Sequence, residues 1–196
     1  MRKRLVITFI AMMVVAVGVH TLITQGWYPA AIVNGKFIGA RSFGEAVASV
    51  NQYYEQALKT YAPETKEENK GISPTEVKRA TLDKMIENEL ISHELKAMVG
   101  NEVPLLVQQK INALGTLSGA EFESAVKTLY GLTPARFRAL VLEPQAREEI
   151  LERKISAELN NSDFQTFLSD LRQKASVRIL ISDLYWENGK VVARGK

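Results

Sequence analysis

The chain of 196 residues has no cysteine and only two histidines, which excludes disulfides and thiolate metal sites and confines imidazole chemistry to two positions. The lack of cysteine is compatible with an oxidising exterior. No glycine-rich phosphate loop is present, because Gly71-Ile72-Ser73-Pro74-Thr75-Glu76 lacks both the spacing and the lysine. A clustered basic footprint is missing as well. Three of the 25 Lys and Arg fall in residues 1–30, which leaves 22 against 22 Asp and Glu in residues 31–196. A neutral remainder removes the electrostatic argument for nucleic acid. Acidic residues are absent before Glu45, and that absence frames the most informative segment.

Met1-Arg2-Lys3-Arg4 precedes an almost unbroken apolar run of 19 residues, Leu5 to Ile23. At about 1.5 Å per residue this spans roughly 28 Å as a helix, close to the hydrocarbon thickness of a bilayer. The basic start keeps the N-terminus cytoplasmic and puts the chain after Ile23 outside, with Trp27 and Tyr28 at the outer interface. A cleaved signal is the alternative, but the run is longer than a usual signal core and no small-x-small site comes after it. The expectation is an uncleaved single-pass anchor over residues 1–30. The exported domain, 31–196, is long enough for a real core.

Within that domain Ala31–Ile38 reads as a hairpin around Asn34-Gly35, since a type I′ turn needs φ > 0 at both central residues. A helix is expected from Ser42, capped with Glu45, with Phe43, Ala46, Val47, Val50, Tyr54, Ala57 and Leu58 on its apolar face. Residues 62–72 form a polar connection. Ser73-Pro74 with Glu76 opens a long helix that ends at Gly100. Shorter helices come next over Val103–Leu114 and from Ser118 (with Glu121) to Tyr130, the latter with Phe122, Ala125, Val126 and Leu129 inward. Thr133-Pro134 starts another long one, which Pro144 should kink or divide. Asn161 or Ser162 caps a last helix. Val177–Ile181 and Leu184–Trp186 then read as strands, and Asn188-Gly189 turns the chain toward Val191-Val192. Two short hairpins are individually marginal, so N- and C-terminal strands should pair.

Catalytic constellations are scarce. His93-Glu94-Leu95-Lys96-Ala97 begins like a zincin helix, but Ala97 stands where the second histidine ligand must be. Glu64, Glu67 and Glu68, like Glu148, Glu149 and Glu152, read as solvated charged faces rather than acid/base pairs. No enzyme, cofactor or metal site is expected. The apolar inventory is richer. Met85, Met98, Leu105, Leu106, Phe122, Tyr130 and Phe137 belong to helices that cannot all be deeply buried in one small domain. Flexible methionine and aromatic side chains suit a surface that accepts varied apolar partners, and these seven are the candidate peptide-binding residues.

Three segments carry a family resemblance. Val33-Asn34-Gly35-Lys36-Phe37-Ile38 with Ser42-Phe43 matches an opening hairpin and helix. Leu82–Ile91 matches a long helix of the pattern L-x-x-L-I-x-x-x-L-L, and Phe122–Leu129 with Gly131-Leu132-Thr133-Pro134 matches a helix pair. In this order the chain resembles, over residues 31–181, the SurA-like N-terminal chaperone domain of exported foldases of the SurA, PpiD and PrsA type. Many such relatives insert a parvulin isomerase domain before the final helix; here the short turn Asn160-Asn161-Ser162 leaves no room for one. The resemblance implies a mainly α domain with a small β-element, and chaperone activity without isomerase activity. It further implies unfolded or newly exported polypeptides as partners, held near a membrane in the periplasmic or extracellular space. A scaffold that binds one defined partner is the alternative.

Overall fold

The structure, a computed structural model, describes residue 13 and residues 28–61, 73–115, 118–158 and 163–195. Apart from Met13, the apolar run 5–23 lies outside the described residues, as do Trp27 and the connection 62–72. Among the described residues no helix is long and apolar enough to cross a membrane.

The described residues are mainly helical. Strands β1 (Pro29–Val33) and β2 (Lys36–Gly39) form the first hairpin, and Asn34 and Gly35 turn it with φ of 47° and 81°. Both values are positive, as a type I′ turn requires. Helix α1 (Ala40–Tyr61) continues without a break. Its first amide donates to the Tyr28 carbonyl at 2.8 Å, so the helix starts two residues before the expected Ser42 cap. Ser42 and Glu45 are freed for tertiary contacts. Helix α2 (Pro74–Val99) begins after Ser73 as expected, although no Ser73 side-chain bond caps it and Glu76 pairs with Arg79 instead. A single 3₁₀ turn leads to α3 (Val103–Asn112), and α4 (Ala120–Tyr130) begins after Gly119 rather than Ser118.

The helix runs on through Pro144; its departure from regular α-helical bonding comes one turn earlier. The Thr133 hydroxyl caps α5 (Pro134–Phe137), accepting from the Arg136 amide at 3.3 Å. A π-helical stretch, Arg138–Leu142, joins α5 to α6 (Glu143–Glu158), and the Glu143 amide donates to the Arg138 carbonyl five residues back. The widened ladder absorbs a missing amide without breaking the helix. Helix α7 (Phe164–Lys174) is capped by Asp163, whose carboxylate accepts from the Gln165 and Thr166 amides, both at 3.2 Å. Asn161 and Ser162 lie outside the described residues.

Strand β3 (Val177–Ile179) pairs antiparallel with β1, giving a three-stranded sheet ordered β2-β1-β3. N- and C-terminal strands thus do join. Strands β4 (Leu184–Glu187) and β5 (Lys190–Ala193) make a separate hairpin through Asn188-Gly189. Its inward residues Leu184 and Val191 share one core with Val33, Phe43, Leu82 and Ile86. Farther along α2, Ile91 and Leu95 pack with Leu151, Ile155, Phe164 and Leu168. Helix α2 is therefore the spine: one end buries the β-elements, the other α6 and α7. Smaller clusters hold α3 on α6 (Val107, Ile111, Ala146) and α4 on α5 (Val126, Leu132, Phe137).

Candidate functional site

The seven apolar side chains singled out in the sequence lie in different places. Met85 faces a cavity of about 210 Å³ beside Phe37, Glu89 and Leu140. Met98 packs on the second core cluster. Leu105 stands exposed on α3, while Leu106 lines a groove of about 500 Å³ between α3 and α6. Only Phe122, Tyr130 and Phe137 come together. Phe137 meets Phe122 edge-on at 6.1 Å between ring centroids and Tyr130 at 4.8 Å.

That aromatic group is extended by two residues that the helical pattern did not single out as a site. Tyr53 of α1 stacks on Tyr130 at 5.3 Å and 12° between ring planes, and Tyr54 meets Tyr53 edge-on at 6.3 Å. The helical spacing places Tyr54 and Leu58 on the inward face of α1, yet Tyr53, Tyr54 and Leu58 are 44%, 43% and 41% exposed. Consecutive helix positions point about 100° apart, so two adjacent tyrosines cannot both enter one core. That adjacency was the available signal. On α4, Ala125 and Leu129 likewise turn outward, because Phe122, Val126 and Tyr130 form the face of that helix that meets the small core.

Between α1, α4 and the π-helical stretch the tyrosines border a cavity of about 260 Å³, lined also by Ala46, Val50, Leu140 and Val141. Pockets built for small molecules run to roughly 300–1,000 Å³, so this one suits a single side chain better. Polar links on either side fix it. The Gln52 amide donates to the Lys127 and Thr128 carbonyls at 3.0 and 2.8 Å, closing the C-terminus of α4. Arg136 Nε donates to Glu45 Oε2 at 2.7 Å and Arg136 Nη2 to Ser42 Oγ at 3.4 Å, holding α5 to α1. Partial burial raises the Glu45 carboxyl, but hydrogen bonds and charge from Arg41 and Arg136 outweigh it and leave the group below the usual carboxylate range. Burial, with the neighbouring Tyr53, pushes the Tyr130 hydroxyl up, so it stays neutral.

This shelf offers ring faces and methyl groups with hydroxyls at its edge, which equips it to bind apolar side chains. Among the described residues no group of His, Asp or Glu is placed to hold a metal ion. His93 is exposed on α2, and Glu89 is raised by burial against the opposing charges of Lys36, Arg147 and His93.

A family model described as the SurA-like N-terminal domain matches residues 2–156, from the chain start to the last turn of α6. Among curated proteins and solved structures nothing matches. No parvulin domain is evident in the chain, and only five residues separate Glu158 from Phe164. The matched span takes in α1 to α6, the helices that build the aromatic shelf, and the chain belongs to the SurA-like N-terminal domain family, which gives it a chaperone-type role.

Proposed function

We propose that the chain is an ATP-independent holdase, tethered to the membrane by residues 5–23, that covers apolar segments of unfolded or newly exported polypeptides. The observation that carries this is the exposed Tyr53–Tyr54 pair stacked on Tyr130 at the mouth of a cavity sized for one side chain. An unpartnered apolar surface of this kind on an otherwise charged helical domain is a binding surface. Tyrosine lends contact area at low entropic cost, and weak contacts let a client leave. The activity is binding without catalysis. The tether rests on the length and apolarity of the 19-residue run and its three preceding basic residues. It puts the domain outside the cytoplasm, where chains emerge unfolded.

The test is aggregation of several unrelated denatured proteins in the presence of the purified full chain. Suppression near one-to-one ratios is expected, weakened several-fold by Tyr53→Ala with Tyr54→Ala. No suppression of any of them, together with tight binding of one native partner, would make the chain a scaffold instead. A prolyl-peptide isomerase assay should stay at the background rate.

A further inference from the structure

On the α3–α6 side of the molecule, away from the aromatic shelf, lies the groove of about 500 Å³. Leu106, Ile150 and Ala157 give it an apolar lining, and Lys110, Arg153 and Lys154 line it with charge. The spacing explains the composition. Ile150, Arg153, Lys154 and Ala157 fall at i, i+3, i+4 and i+7 of α6, and Leu106 and Lys110 at i and i+4 of α3, so each helix turns one mixed face into the groove.

Two of these cations have no carboxylate of their own among the described residues. Lys110 is paired with Glu149. Arg153 and Lys154 enter no ion pair among the described residues, and no carboxylate is among the residues that line the groove. Both are exposed, and Arg153 acts on Glu149 only through space. In a domain whose residues 31–196 are neutral as a whole, this is a local excess of positive charge over an apolar floor. A segment that fits it places an apolar side chain between flanking carboxylates.

We propose that the α3–α6 groove is a second docking site, selective for client segments in which an apolar anchor is flanked by Asp or Glu. The site goes beyond the tyrosine shelf, which discriminates by apolar contact alone, and gives the domain a charge preference. Carboxylates at the rim pair with Arg153 and Lys154 while the anchor displaces water from Leu106 and Ile150. Charge at an exposed rim acts on encounter and selectivity more than on affinity.

Two fluorescent peptides with one shared apolar segment, flanked by Asp/Glu in one and by Lys in the other, test this by anisotropy with the purified full chain. The acidic peptide is expected to bind roughly tenfold tighter at low salt, the combined effect of a few exposed ion pairs, and the preference to shrink as salt rises. Arg153→Glu with Lys154→Glu should reverse the preference, and Tyr53→Ala with Tyr54→Ala should leave it in place. Equal affinities, a salt-insensitive preference, or one that survives charge reversal overturns the proposal. A preference lost in the tyrosine variant overturns it too, by moving discrimination to the shelf. So does a charge-reversed variant that loses only binding to phosphatidylglycerol vesicles, which assigns the groove to lipid. The salt series on the unaltered chain decides the matter even where the reversed variant folds poorly.

Discussion

Arg172 Nη2 lies 2.6 Å from Asp83 Oδ1, joining α7 to the long helix α2. The same guanidinium meets Glu87 Oε2 at 2.8 Å, donates to the Gly189 carbonyl at 2.7 Å and sits 5.6 Å from the centroid of the Trp186 ring. Asp83 Oδ1 also accepts from the Val191 amide at 2.8 Å. One arginine therefore ties the C-terminal helix and the β4–β5 hairpin to the spine. Its planar fork supplies donors in several directions at once, which a lysine ammonium on a flexible stem does not match.

Arg172→Ala should leave two part-buried carboxylates facing each other and strand the Gly189 carbonyl. The expected loss is about 2–3 kcal/mol, less than for a fully buried pair because Asp83 keeps some exposure. Urea unfolding followed by circular dichroism reads this as a lower midpoint at unchanged slope. Arg172→Lys should fall between the two; if it matches wild type, the fork geometry is irrelevant.

Gly131 ends α4 at φ 67°, and a Cβ added there would overlap Gln52 Oε1. Gly131→Ala should cost about 1–2 kcal/mol, from the left-handed backbone plus the displaced side chain. Gln52→Ala alone should cost about 1 kcal/mol through the lost bonds to Lys127 and Thr128. In the double variant the overlap is gone, so the two losses should sum to more than the measured total. Strict additivity would mean that Gln52 simply swings away.

Two glutamates should give opposite pH signatures. Glu45 is depressed in the folded state, so its contribution is fully present above the unfolded carboxyl range and is lost as pH falls through the folded value. Glu45→Gln should remove part of the acid-side loss of stability. Glu89 is raised by burial, so folding binds a proton there and stability gains as pH falls into its range. Glu89→Gln should therefore stabilise the protein near neutral pH, by less than about 1 kcal/mol, with little effect at low pH. Melting temperatures of both variants across pH 3 to 8 check the signs.

Val50→Phe should fill the cavity beside Tyr53 and Tyr130 without removing either ring. Aggregation suppression is expected to weaken several-fold with the melting temperature little changed. Unchanged suppression would mean that clients use the tyrosine faces and not the cavity.

Local chemistry was easy to read from the chain. Asn34-Gly35 and Asn188-Gly189 turn their hairpins with positive φ at all four residues, because few other pairs accept that backbone. Ser73-Pro74, Thr133-Pro134 and the stops at Gly100 and Gly131 mark helix ends for equally local reasons. Capping boxes were less legible. At Ser42 the strand before it feeds the helix directly, and at Ser118 the turn goes to Gly119, since a cap is worth only about 1 kcal/mol and tertiary packing overrides it. Pro144 announced a disturbance but not its form, a π-helical stretch that begins six residues earlier.

By itself the sequence determined the mainly helical character, the two tight hairpins, the neutral charge balance of residues 31–196 and the family, because these come from periodicity, backbone preference, composition and motif order. Which apolar side chains are core and which are surface was decided by the tertiary structure alone. Met98 and Phe137 went inward, Tyr53 and Tyr54 stayed out, and Leu106 came to face Ile150 across a cationic groove. The physical reason is geometric: a helix pattern gives the direction of each side chain around its own axis, and only the packing of α1, α4 and α6 on their neighbours says what lies in that direction.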